Sequence, residues 1–232
     1  MYHMLKNITF VFCLVFLVSM TKAQEGRHYV RKGVFTPTGG LIEFYMYTYN
    51  QDNQLIKEEY YDKNSRPMWI HHIKYDAKGL RSKSIRKDLT TNTDTMHVYL
   101  YDDSGKLERV ALIGPDRKLS DVEKYTYDTR GRVFKIRYYT ARNRFMSVVT
   151  FEYDEAGNTR KKNIHMGNNQ EYRAYFYDKG KVKKEEYFNN RKKLVETITY
   201  DYNPQGRKTR EVFYDPSGKI KKICNYTFRS DN

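Results

Sequence analysis

Beyond its first 23 residues the chain carries five histidines, several adjacent carboxylates, one tryptophan and long rows of tyrosine and lysine. An enzyme would need such groups to converge in a cleft. His71 and His97 hold the same position in successive repeats, so on neighbouring hairpins they stand two strands, about 9.6 Å, apart. That spacing is too wide for one metal with bonds of about 2 Å. His71 and His72 alternate in face along a strand, and with His28, His97 and His165 they are read as exposed or half-buried sheet residues. Glu58-Glu59 and Glu185-Glu186 also point apart and are read as partners of nearby cations. Trp69 is read as packing beside Ile70 or Ile73, not as a sugar platform. No Gly-rich phosphate loop precedes a helix, since no helix is evident. The expectation is a protein that is not an enzyme and holds no cofactor and no metal.

The regular feature is a pairing of rings with cations. Three residues before each turn aspartate or asparagine sit Tyr47, Ile73, Tyr99, Tyr125, Phe151, Tyr175 and Tyr200. Four residues after each turn glycine, or the asparagine replacing it, come Lys57, Lys83, Arg109, Lys135, Lys161, Lys184 and Arg210. In an unbroken register these are cross-strand partners. A basic stem then lies along a ring, worth roughly 0.5–1 kcal/mol at an exposed site. If the rows face solvent, they form a binding strip for an anionic or sugar-like polymer. The ligand-binding candidates are Tyr99, Arg109, Tyr125, Lys135, Phe151, Lys161, Tyr175 and Lys184.

The elements that must position these residues follow from the spacing of the turns. Asn50, Asp76, Asp102, Asp128 and Asp154 recur at a fixed interval of 26 residues, and Asp178 and Asn203 follow after 24 and 25. A fixed period means one supersecondary unit copied many times. Asp-x-x-Gly between runs of Tyr, Val, Ile, Phe and Thr predicts a three-residue hairpin loop, with Gly at positive φ and Asp accepting backbone hydrogen bonds. Asp178-Lys-Gly180 is one residue shorter and needs a different turn. A second turn lies midway in each unit, at 36–40, 62–66, 88–94, 114–118, 141–144, 167–169 and 189–191. The prediction is an all-β antiparallel meander of about 16 strands, the first near 28–35 and the last near 219–228.

Counting outward from the tips puts two apolar stripes on opposite faces, at opposite ends of the strands. Phe44, Met96, Val122, Val148 and Tyr172 mark the second stripe. A flat sheet cannot bury both. The sheet must coil, or a bulge in each strand must swap parity and gather the rings on one concave side. An open coiled sheet or half-barrel is expected, with a closed barrel as the second choice.

Residues 1–23 lie outside the repeat. Lys6, the apolar run Ile8 to Met20 and Thr21-Lys22-Ala23 make a secretory signal peptide cleaved after Ala23, leaving 24–232 as a single repeat domain. The apolar run is shorter than the roughly 20 residues of a spanning helix, and no second run occurs. The mature chain is therefore expected to be secreted or periplasmic, with no membrane span. Cys224 is then the only cysteine and is expected to pack within a strand. The chain carries a formal charge of +15 with 23 tyrosines, which raises nucleic acid as a partner. Export argues against it.

The unit Tyr-x-Tyr-Asp-x-x-Gly-[Arg/Lys]-[Val/Leu]-x-[Lys/Arg], clearest at 125–135, 99–109 and 151–161, resembles the YD (RHS-type) repeat family across nearly all of 41–228. A looser similarity is to MORN-like hairpin repeats. The YD resemblance implies structural shells, wall-associated proteins and carbohydrate binders, with no catalytic residues. The functional expectation is a binding or scaffolding module for an anionic glycan or cell-envelope polymer. The alternative is a protein-interaction or antitoxin-like module that binds another envelope or secreted protein.

Overall fold

The computed structural model describes residues 28–230. The expected signal peptide and Cys13 lie outside the described residues. Sixteen strands fill the described chain. They are β1 (His28–Phe35), β2 (Leu41–Tyr49), β3 (Leu55–Asp62), β4 (Pro67–Tyr75), β5 (Arg81–Asp88), β6 (Thr93–Tyr101), β7 (Leu107–Ile113) and β8 (Leu119–Tyr127). The second half comprises β9 (Val133–Thr140), β10 (Phe145–Tyr153), β11 (Thr159–Met166), β12 (Asn169–Asp178), β13 (Lys181–Phe188), β14 (Leu194–Tyr202), β15 (Lys208–Tyr214) and β16 (Ile220–Ser230). The strand count and the antiparallel meander follow the spacing of the turns. The open sheet does not: β1 pairs with β16 along its whole length, from His28 opposite Ser230 to Phe35 opposite Ile223, and the barrel is closed.

Closure has a physical reason in the register. Each hairpin is offset in the same sense, and following cross-strand partners once round the wall returns to β1 displaced by about 16 residues. For sixteen strands that shear gives a tilt of roughly 35° and a radius of roughly 15 Å. The tilt lies in the range at which sheets close, so the last strand meets the first with its ladder in register.

The tips form as their composition dictates. At 128–132 the Asp128 amide donates to the Arg132 carbonyl (2.9 Å) and the Gly131 amide to the Asp128 carbonyl (3.0 Å). The Asp128 carboxylate accepts from the amides of Arg130 and Arg132. Gly131 stands at φ 76, where a Cβ is strained. Asn53 takes the same conformation at φ 59. The short turn at Asp178 uses two residues, Lys179 and Gly180, both at positive φ as in a type I′ turn.

A bulge follows most of the tips and re-aims the strand behind it. Tyr127 pairs with Val133 and Thr126 with Lys135, which leaves Phe134 unopposed. The same step occurs between Leu100 and Tyr101, Glu152 and Tyr153, and Phe176 and Tyr177. It corrects the pairing expected from an unbroken count. Tyr99 lies opposite Val110, Tyr125 opposite Ile136, Phe151 opposite Lys162 and Tyr175 opposite Glu185. The cations lie one position over: Arg109 opposite Leu100, Lys135 opposite Thr126, Lys161 opposite Glu152 and Lys184 opposite Phe176.

One face of the wall is buried. It carries Ile73, Ser84, Val110, Ile136, Val149 and Cys224, the last as expected of a packed strand residue. The other carries the exposed Leu100 and Phe176, so the first is the inner face of the barrel. The core is a lining. Ile136, Val149 and Phe151 pack with Tyr125, Val133, Tyr138, Tyr153 and Ile164, all from the neighbouring strands β8–β11.

Candidate functional site

The bulges sort the candidate residues onto two surfaces. Tyr99, Tyr125, Phe151 and Tyr175 share the inner face with Ile136 and Val110. Arg109, Lys135, Lys161 and Lys184 stand on the outer wall. The single strip of alternating rings and cations is therefore not formed.

Inside, tyrosine hydroxyls are spent on carboxylates and carbonyls. Tyr125 donates to Glu123 (2.6 Å), Tyr200 to Glu185 (2.8 Å) and Tyr226 to Glu211 (2.8 Å). Burial, then the charge of Glu123, pushes the Tyr125 phenol far above its ordinary range. Arg173 pairs with Glu185, while Lys32 (3.0 Å) and Lys208 both pair with Glu211. Burial works against the Glu211 charge, but those two ammonium groups outweigh it and draw the carboxyl down to about 2. At six tips the tyrosine one residue before the turn closes a second ladder. Tyr75, Tyr101, Tyr127, Tyr153 and Tyr202 each donate to a carbonyl 20 residues back, and Tyr177 to one 18 back.

Of the histidines only His71 departs from its expected exposure; His28, His97 and His165 are half-buried and His72 is exposed. His71 is buried on the inner face beside Glu58 (3.7 Å), and His97 shares that face. Burial, then the nearby His71 and Arg86, lowers His97 to about 4. Among the described residues no three His, Cys, Asp or Glu side chains could hold a metal. Trp69 points inward against Tyr45 and Tyr60, with the Arg86 guanidinium 4.3 Å above its ring, while Ile70 points out.

Outside, the basic residue after each tip stands at one level on every second strand. Some of this charge is paired: Lys57 with Glu59 (3.0 Å), Arg109 with Glu108 (3.5 Å), Lys161 with Glu152 (3.9 Å) and Lys184 with Glu186 (2.8 Å). These carboxylates include the outward members of the two adjacent pairs in the sequence. Among the described residues no acid pairs with Lys83 or Lys135. Rings do lie under the cations, but not the expected ones. Lys135 covers Phe134 (5.0 Å), Lys161 covers Tyr172 (4.4 Å) and Lys184 covers Phe176 (4.0 Å).

The second apolar stripe stays outside, near the other rim. Phe44 stacks on Tyr61 and Tyr172 on Phe188, both at 4.6 Å, and Tyr139 meets Phe145 edge-on at 5.9 Å. Between this stripe and the cation level lies an open depression over β9–β11 of about 270 Å³, lined by Lys135, Arg137, Phe145, Val148, Thr150 and His165. Of these only Lys135 is visible as a candidate in the sequence. The others fall on one face only after the bulge at Phe134 is counted.

No protein-family model matches the chain, and no curated protein matches it. Among solved structures, a porin-like protein from Bacteroides uniformis is similar at a TM-score of 0.58 and 12% identity, covering 87% of this chain and 96% of that one. A second porin-like protein, from Bacteroides vulgatus, is similar at 0.49 and 10%, over 86% and 97% of the two chains. A LolA-superfamily protein from Nitrosomonas europaea reaches 0.31 and 10%, over 89% and 86%. The first of these likenesses is one of fold, and it places the chain among large antiparallel β-barrels.

Proposed function

We propose that the chain is an extracytoplasmic, non-enzymatic barrel whose outer wall binds an anionic glycan or cell-envelope polymer. The observation that carries this reading is the level of cations from Lys57 to Arg210, repeated on every second strand and turned outward by the bulges. Alternate strands set neighbouring charges about 9.6 Å apart along the wall, so one polymer chain can touch several. The formal charge of +15 adds long-range attraction for polyanions. The resemblance of each tip to the YD repeat supports the same reading, as does the signal-like N-terminus.

The same wall argues against a barrel that crosses a bilayer, despite the porin-like fold. A membrane barrel needs an apolar outer band about 25 Å tall, and a lysine or arginine at its midplane costs about 2–4 kcal/mol. Here Lys124 and Arg137 face each other at mid-wall, and Lys83, Arg109, Lys135 and Lys161 follow close by.

The test is binding to an acidic polysaccharide such as polygalacturonate at low and at moderate salt. Binding should weaken as salt rises. Replacing Lys83, Arg109 and Lys184 together with Gln should weaken it on the order of tenfold, at about 0.5 kcal/mol for each exposed contact. An unchanged affinity would remove the reading. A second reading, docking of another envelope or secreted protein, is favoured by the exposed Leu100, Phe134 and Phe176 set among the cations. Retention of a protein partner by a chain with no polysaccharide affinity would support it instead.

A further inference from the structure

The depression over β9–β11 has a composition of its own. Its floor is Val148 and Thr150, the short outer residues of β10. Cross-strand partners raise its sides: Arg137 opposite Val148 and Lys135 opposite Thr150 on β9, and His165 opposite Val148 on β11. Phe145 closes one end, 52% exposed and held by its edge-on contact with Tyr139. No carboxylate lines the depression, and among the described residues no acid pairs with Lys135 or Arg137. At this level Lys57, Arg109, Lys161 and Lys184 are neutralised by a neighbouring glutamate, whereas here two cations without an acid partner stand beside an open ring.

We infer that this depression is a discrete subsite for one acidic sugar residue, its carboxylate held by Lys135 and Arg137 and the flat face of its pyranose ring laid against Phe145. The inference rests on the outer-wall reading and makes it specific, naming a uronic-acid unit and one place on the wall where it is held. A guanidinium beside an ammonium suits a carboxylate, because Arg offers a planar pair of donors and Lys a mobile third. An exposed aromatic ring covers the C–H face of a sugar without demanding hydrogen bonds of its own. Thr150 supplies a hydroxyl and His165 an imidazole for the ring hydroxyls. The volume, about 270 Å³, is sufficient for one sugar residue.

The test uses the whole chain and two probes, a galacturonate trimer and the neutral galactose trimer, titrated calorimetrically at low salt. One acidic trimer should bind per chain and the neutral one at least tenfold more weakly. Phe145→Ala and Arg137→Gln, both on the exposed wall, should each cost the acidic trimer at least fivefold. The triple change at Lys83, Arg109 and Lys184 should leave trimer affinity within twofold. If the trimer binds equally to the Phe145 and Arg137 variants but is lost in the triple variant, the subsite is overturned while the outer-wall reading stands. If the parent chain binds the long polymer but not the trimer, the subsite is likewise overturned. If it binds neither, both readings fall. Thermal melts of each variant separate lost binding from lost fold.

Discussion

At the scale of single residues the tyrosines act as ties more than as an apolar filling. At six tips the tyrosine before the turn packs its ring on the inner face and sends its hydroxyl to the preceding hairpin. The basic residue after one tip then lies over the ring of the next, as Arg132 over Tyr153 at 4.2 Å and Lys106 over Tyr127 at 5.6 Å. Tyr153→Phe removes only the bond to the Val133 carbonyl (2.6 Å). It should cost about 1 kcal/mol and lower the melting temperature by about 2–4 °C; calorimetry would check this, and an unchanged melt would mean the ladder is incidental. Glu211 offers a pH test. Its folded carboxyl, near 2, lies below its ordinary 4.5. The stabilisation is therefore complete above about 4.5 and lost as pH falls toward 2, at most about 3 kcal/mol in all. Urea titrations between pH 5 and pH 2 should show that slope, and Glu211→Gln should flatten it.

At the scale of the hairpin, the bulge decides which residues meet water. The Asp and Gly of each tip, the period and the strand bounds are legible in the sequence because turn chemistry is local. The bulge is not, since the residue it leaves unopposed varies in type: Ile56, Ser82, Glu108, Phe134, Arg160 and Lys183 occupy that place. No residue preference announces it, and missing it moves every later partner by one. That is why the ring and cation rows read as partners in the sequence and stand on opposite faces in the fold. The site over β9–β11 was hidden for the same reason. Deleting Phe134 provides the direct test. An unbroken register would turn either Lys135 or the Tyr125–Ile136 rung to the wrong face, so the deletion should cost at least about 3 kcal/mol in urea denaturation. Phe134→Ala keeps the residue count and should cost under about 1 kcal/mol at so exposed a place. Similar losses from both would mean the ring, not the bulge, matters.

For the whole molecule, sequence spacing predicts the number of strands but not whether they close. Closure depends on the sum of small register offsets around the wall, and no single repeat shows that sum. It also depends on the first and last strands matching, and β1 carries none of the tip motif. Because the β1–β16 seam is laddered like every other pair, the chain should tolerate being cut elsewhere. A circular permutant that joins the ends near His28 and Ser230 by a short linker and opens at the 154–157 tip should fold, with a melt within about 5 °C of the parent. Removing β16 exposes two long strand edges and should give an aggregating chain, visible by light scattering. A stable monomer after that removal would mean the wall does not need its seam.

The repeat-by-repeat wall also constrains how such a molecule could change size. Each tip-to-tip unit contributes two strands and the same sideways step, so tandem duplication of one unit would keep shear in proportion to strand number and leave the tilt alone. The product would be a ring of equal height and larger bore, wider by roughly 4 Å in diameter. Its outward charges would keep their spacing and gain one more member. Girth in this architecture can therefore be set by copy number, without redesign of any side chain.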